Sequence, residues 1–373
     1  MSVKIKSIDI LEVELPFKKE FRHGLGTRRT SGSIFIKAYL ENGVIGYGEA
    51  MPREYVSGET TKSVDRRLRE VLPGKLIGVS FSSFKGGIEF LERFKGLASA
   101  ARCCIEIALL DALGKHFNKS IATVIGKPVN NPILYSGVIS FSSIPSVTKT
   151  ALEFKAYRFR SVKIKVGSGN DLKRLKVIRR ILGDKVDLRV DANCAWSQDE
   201  AVEKINKMRR FGISAVEQPV KPHDIRGLKK VTDSVPETII ADESLVTIKD
   251  AETLAHLKAC DMFNIRLSKC GGILNALKIV DIARRNSIRY QLGCHVGESG
   301  VLSAAGRHFA CGISDVEYPE GSYGKFLLEK DVTRKSLSFG WAGKARPISG
   351  PGLGINVVDR VLDRYTVNHS VVQ

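Results

Sequence analysis

Residues 161–165 (SVKIK), 187–191 (DLRVD), 213–217 (ISAVE), 238–242 (TIIAD) and 262–269 (MFNIRLSK) are short apolar, β-branched runs that each end on a charged side chain. Those terminal residues are Lys165, Asp191, Glu217, Asp242 and Lys269, spaced by 26, 26, 25 and 27 residues. A step of about 25 residues accommodates one strand, one helix and two loops, the unit of a (β/α)₈ barrel. In such a barrel the C-terminal ends of all strands face one mouth, so three carboxylates and two ammonium groups converge there. The spacing therefore predicts both a fold and the place of its chemistry.

The same register extends in both directions. YSGVIS, ending at Ser140, lies 25 residues before Lys165 and supplies the first barrel strand. IRYQLGC supplies the seventh, just before His295, and SDVEY the eighth. Ser197 with Glu200 three residues later reads as a capping box after the third strand, and Gly212 as a helix stop. Upstream, residues 1–125 read as a separate α+β domain. Strand patterns at 4–14 and 33–40 lead into the turn signal Glu41-Asn42-Gly43 and a further strand, with helices at 60–71, 86–94 and 97–115. Between the first two strands lies FRHGLGTRRTSG (residues 21–32), a Gly- and Arg-rich segment that reads as a mobile loop. Residues 126–320 carry the barrel. The tail, residues 321–373, holds no ninth unit and, with its Ser349-Gly350-Pro351-Gly352 turn, is expected to pack back on the first domain.

Composition narrows the function classes. The 373 residues suffice for one large barrel plus a smaller domain. Apolar content of 43% and charged content of 27% fit a soluble globular chain. No apolar run reaches membrane-spanning length, and the opening residues lack a signal core, so a cytoplasmic protein without membrane partners is expected. Seven scattered cysteines form no C-x-x-C pair, which argues against a disulfide framework or a zinc site. Cys194 and Cys294 lack a paired base and are poor nucleophile candidates. The formal charge of +19 raises nucleic-acid binding as a reading. Dispersal favours a solvated surface instead: in residues 170–183, Leu172, Leu175, Ile178 and Leu182 form one stripe, while Lys173, Arg174, Lys176, Arg179 and Arg180 fall on other faces. A basic surface of this kind attracts acidic small molecules.

Asp191, Glu217 and Asp242 on three consecutive strands form an all-oxygen cluster suited to a hard divalent cation, Mg²⁺ first and Mn²⁺ as the alternative. Without a cation, converging carboxylates repel and raise one another's pKa. Lys163 and Lys165, two apart on a strand, point to the same side, and a buried lysine beside another cation loses proton affinity. Lys269 lies roughly across the mouth, followed by Gly271-Gly272, which permits close backbone approach. The combined logic is removal of a proton next to a substrate carboxylate, with the cation stabilising the resulting enediolate.

SVKIKVG, RVDAN, VEQP, ADES and NIRLSKCGG, in this order, resemble the enolase superfamily and within it the muconate-lactonizing-enzyme subgroup. The helix-like segment at 101–126 and PGLGINVV, which includes Pro351 and Gly352, extend the likeness over nearly the whole chain. The fold so implied is α/β, a modified TIM (β/α)₇β barrel with an α+β capping domain formed by the N-terminal region and the C-terminal tail. The resemblance implies Asp191, Glu217 and Asp242 as metal ligands and Lys165 and Lys269 as the acid/base pair, with Lys163 supporting the carboxylate and lowering the pKa of Lys165. It implies that residues 21–32, including Arg28, close over substrate with Tyr55 beside them. GYGEAMPREYVSGET resembles the cap of dipeptide epimerases, where an Asp-x-Asp pair on the last strand holds the substrate ammonium; Asp315 and Glu317 stand in that pattern here. His295 falls in GCHVGES, a stretch longer than the subgroup's usual one, and reads as a polar pocket wall, since Lys269 displaces the Asp that a His-based dyad needs. The expected reaction is Mg²⁺-dependent two-base racemisation or epimerisation of a dipeptide or amino-acid derivative. A cycloisomerase or o-succinylbenzoate-forming dehydratase is the alternative, and a non-catalytic nucleic-acid binder the remote one. A homo-oligomer is expected from the resemblance alone.

Overall fold

The computed structural model describes residues 1–23, 26–126 and 132–373. Its centre is a parallel sheet of seven strands in sequential order: Gly137–Ile139, Ser161–Lys165, Asp187–Asp191, Ile213–Glu217, Thr238–Ala241, Met262–Ile265 and Arg289–Leu292. Helices between successive strands bury apolar stripes against it, for example Leu175, Ile178 and Leu182 of Asp171–Leu182. Arg174 on the same helix departs from the solvated reading. It is buried and donates to Lys165 O at 2.8 Å, because a guanidinium can satisfy strand-end carbonyls that face the helix.

The eighth strand is irregular. Glu317 N donates to Tyr290 O (3.1 Å), Glu320 N to Leu292 O (2.7 Å) and Ser136 N to Pro319 O (3.0 Å). These bonds join the seventh strand to the segment before the first and close the sheet on itself. Pro319 has no N–H to continue a ladder, which limits this segment to bridge-like pairing.

The cap is an antiparallel sheet in the order Thr366–Val372, Val3–Val13, Ser33–Leu40, Ile45–Ala50, so the chain's last strand pairs with its first. The segment read as a mobile loop is instead a ribbon, Pro16–His23 paired with Gly26–Thr30, with Gly24 and Leu25 outside the described residues. Residues 127–131, at the expected start of the barrel region, also lie outside them. Among the described residues no helix is long and apolar enough to cross a membrane.

Helix Ser99–His116 is buried almost all round, wedged between the cap sheet and the barrel. Gly46 and Gly48 make this possible, because a Cβ at Gly48 would lie 2.1 Å from Cys104 O and 2.7 Å from Ala108 N. Three polar ties fix cap to barrel: Met51 N donates to Ser268 Oγ (2.8 Å), Ser299 Oγ to Glu49 (2.6 Å), and Leu274 N to Glu106 (3.0 Å). Gly48→Ala is expected to destabilise the protein by about 1–3 kcal/mol through overpacking against helix backbone. A denaturant melt checks this, and an unchanged midpoint would contradict the packing described.

Candidate active site

Strand register sets the site. Lys165, Asp191 and Glu217 are direct neighbours across three parallel strands. Asp242 follows the last residue of the next strand, and Gln218 holds its turn by accepting from Asp242 N (2.9 Å) and Ser244 N (3.1 Å). The sixth strand ends at Ile265, earlier than its sequence reading, and Lys269 sits on a one-turn helix, Leu267–Cys270. Gly271 in the left-handed region ends that turn, and a Cβ at Gly272 would strike Glu106.

The acids are buried and compensated by cations. Lys165 Nζ donates to Asp191 Oδ2 and Asn193 Oδ1, both at 2.7 Å. Lys163 Nζ lies 2.6 Å from Glu320 Oε2, 3.3 Å from both Glu217 oxygens and 3.5 Å from Asp191 Oδ2. Arg266 contacts Asp242 and lies 3.5 Å from Glu217. Lys269 is fully buried, donating to Asp242 Oδ1 (2.7 Å), Asp242 O (2.6 Å) and Asn264 O (2.8 Å). Beneath them Arg189 donates to Gln291 (2.6 Å), Ser136 (2.9 Å) and Glu320 (3.0 Å), and Gln291 in turn donates to Glu217 (2.9 Å).

The electrostatics follow from these contacts. Burial would lower the proton affinity of Lys163, yet Glu217, Glu320 and Asp191 more than offset it and raise its pKa. Lys163 is thus a fixed cation among these carboxylates. Burial would raise Glu217, but Lys163, Arg266, Lys165 and Arg189 hold it well below the usual carboxylate range. Asp191 is pushed up by burial and by Glu217 beside it. Burial, with Asp242 and Asp191, lifts Glu243 to about 7, and its Oε2 is buried without a partner. Burial drives the thiols of Cys194 and Cys294 upward, away from nucleophilic character.

A hard divalent cation fits this donor chemistry: carboxylate oxygens from adjacent strand ends, with an unpartnered Glu243 oxygen among them. Among the described residues no three acids stand grouped as a ready ligand set, because their oxygens are turned to ammonium and guanidinium groups.

One cleft opens over these residues. Lys163, Lys165, Asn193, Glu243, Arg266, His295 and Glu320 form its barrel side, and Arg28, Arg53 and Tyr55 its cap side. Arg28 lies 5.8 Å from the Tyr55 ring centre. His295 is a buried wall whose pKa is driven well below the ordinary value by burial and by Arg266 and Arg53, so it is a neutral group.

Asp315 and Glu317 are elsewhere, which corrects their expected place at the substrate. Asp315 pairs with Arg284 (2.6 Å) at a helix end, and Glu317 with Arg289 (3.3 Å), the first residue of the seventh strand. Both therefore face the N-terminal end of the barrel. The closing segment rises by its backbone bonds until Glu320, three residues later, reaches the mouth. Sequence reasoning missed Glu320, Arg266, Asn193, Glu243, Arg53 and Arg189. Arg189 was the most accessible of these, since it lies two residues before Asp191 on a strand and shares its side.

Two family models match the chain: an enolase C-terminal domain-like region over residues 146–361, and a mandelate racemase/muconate lactonizing enzyme N-terminal domain over residues 6–126. The chain belongs to the enolase superfamily. Within it, this enolase-superfamily chain sits with the muconate-lactonizing-enzyme-like members. It is 31% identical to the hydrophobic dipeptide epimerase of Enterococcus faecalis, over 93% of this chain and 94% of that protein. It is 28% identical to the N-succinyl-L-Arg/Lys racemase of Bacillus cereus over the full length of both. The crystal structure of that racemase superposes with a TM-score of 0.92, covering 99% of this chain and all of the other. The E. faecalis epimerase, solved with Mg and the dipeptide L-Leu-L-Tyr, superposes with a TM-score of 0.86 at 31% identity, over 95% of this chain and 99% of that one.

Beside His295, Glu298 accepts its backbone N–H at 2.7 Å, and burial lifts the Glu298 carboxyl from 4.5 to about 8. Between those pH values the folded protein holds a proton that the unfolded chain has released, so stability falls as pH rises through the window. Glu298→Gln keeps the acceptor and removes the titration. Its thermal midpoint is expected to match the parent below pH 4.5 and to exceed it above pH 8, read by calorimetry across that range. Parallel curves for the two proteins would contradict it.

Proposed function

We propose that this protein is an Mg²⁺-dependent isomerase that racemises or epimerises a dipeptide or an N-acylated amino acid by moving the proton next to its carboxylate. The observation that carries the reading is Lys165, held by Asp191 and Asn193 on the cleft wall, in register with buried carboxylates on the next two strands. Two relatives that match nearly the whole chain are a hydrophobic dipeptide epimerase and an N-succinyl-L-Arg/Lys racemase, and Mg accompanies the dipeptide in the E. faecalis epimerase structure.

Asp191, Glu217 and Asp242 would hold the cation, with Glu243 beside them. When bound, the ion supplies positive charge where the substrate carboxylate gains negative charge as its α-proton leaves. The chain's own groups then do the rest. Lys163 and Arg266, both on the cleft wall, favour an anionic substrate and orient its carboxylate. Lys165 takes or returns the α-proton on one face. Lys269 serves the other face once Asp242 turns from its ammonium toward the cation. Arg28, Arg53 and Tyr55 lie over the remainder of the substrate, and His295 supplies a neutral polar wall.

A second reading is favoured by one observation: Lys165 lines the cleft, whereas Lys269 is fully buried with its ammonium donating to three oxygens. Chemistry that needs one lysine as base and the other only as a cation, as in cycloisomerisation or dehydration, would suit that asymmetry.

The two readings separate on proton transfer. During turnover in deuterated water the α-position is expected to acquire deuterium, measured by NMR or mass spectrometry on dipeptides and N-acyl amino acids with Mg²⁺. Lys165→Ala and Lys269→Ala are each expected to lose epimerisation by about 10²–10⁴-fold, the usual contribution of a general acid or base. Epimerisation without deuterium uptake would exclude the mechanism, and substantial turnover by Lys269→Ala would favour one-lysine chemistry.

A further inference from the structure

Lys163 competes with any cation for this site. Its ammonium lies within 3.5 Å of Glu217 and Asp191, in the negative potential a divalent ion would occupy. Its shortest contact is nevertheless to Glu320 Oε2 at 2.6 Å, an acid outside the run of strand-end carboxylates. Glu320 is buried, and its other oxygen accepts from Arg189 at 3.0 Å. Its backbone is fixed as well, through Glu320 N to Leu292 O and Ser136 N to Pro319 O. The barrel-closing segment therefore presents this carboxylate in one place.

We propose that Glu320 is a positioning residue for the cation site: it draws the Lys163 ammonium away from Glu217 and Asp191, leaving their oxygens available to the ion. The inference rests on the reading of Asp191, Glu217 and Asp242 as ligands. Without the Glu320 charge, Glu217 and Asp191 become the only carboxylates within 4 Å of Lys163 among the described residues. A cation then has to displace an ammonium held by its own ligands, so apparent affinity falls with the fraction of sites left open. Arg189 fixes the Glu320 carboxylate from below by donating to its other oxygen.

The test is Mn²⁺ binding to the full-length protein without substrate, followed by the electron paramagnetic resonance of free Mn²⁺. Glu320→Gln is expected to weaken binding by about 10-fold or more, the scale seen when groups that orient metal ligands are removed. Glu320→Asp, which keeps the charge on a shorter arm, is expected to retain most of the affinity. In a Lys163→Met background, Glu320→Gln is expected to change affinity by less than about 2-fold, because the competing ammonium is gone. Wild-type affinity in Glu320→Gln, equal losses for Asp and Gln, or the same loss in both backgrounds would each overturn the proposal. Thermal melts of all variants separate these outcomes from unfolding. If the parent protein takes up no Mn²⁺, the ligand assignment itself falls, a result distinct from parent binding that Glu320→Gln leaves untouched.

Discussion

Buried carboxylates at the ends of three adjacent strands are the constraint around which this molecule is arranged. Ionised groups withdrawn from water carry a desolvation cost of several kcal/mol each unless opposite charge and hydrogen bonds compensate them. Lys163, Lys165, Arg266 and Lys269 meet Asp191, Glu217 and Asp242 directly, and Arg189 with Gln291 supports them from below. The result is a polar barrel mouth in which buried acids and cations compensate one another.

The cap holds that mouth in position as well as covering it. Glu49 and Met51, at the end of strand Ile45–Ala50, tie to Ser299 and Ser268, and Glu106 of the buried helix Ser99–His116 ties to the helix start after Lys269. Arg53 adds a clamp, donating to Ser31 O (2.7 Å) and Gly32 O (3.0 Å) at the root of the cap ribbon. The ribbon that carries Arg28 is therefore anchored at its base.

Electrostatics and kinship agree on the kind of substrate. Lysines and arginines dominate both sides of the cleft; of its acids, Glu320 is paired with Lys163 and Arg189, while Glu243 has one oxygen on Asn193 and the other unpartnered. The acid pair expected to hold a substrate ammonium stands at the opposite end of the barrel, paired with Arg284 and Arg289. A carboxylate-bearing substrate fits this cationic cleft. That favours comparison with the N-succinyl amino-acid racemase as much as with the dipeptide epimerase.

Periodicity determined the strand ends. Lys165, Asp191, Glu217 and Asp242 were legible because a strand, a helix and their loops recur at near-constant length, which places like positions at one mouth. The central cap strands and their hairpin followed from alternation and turn residues in the same way, whereas the edge strand Thr366–Val372 was visible only in the structure. Where local regularity lapses, only tertiary structure decided. Pro319 interrupts the ladder, so backbone bonds to Leu292 and Ser136 lift Glu320 to the mouth and leave Asp315 and Glu317 at the other end. Lys269 lies beyond its strand on a helical turn that Asp242 and Asn264 capture, and its burial has no signature in a run of letters. Lys163 keeps its proton because three carboxylates from distant parts of the chain surround it. Spacing along a chain records which residues can meet, while pKa and pairing depend on distances that exist only after the barrel closes.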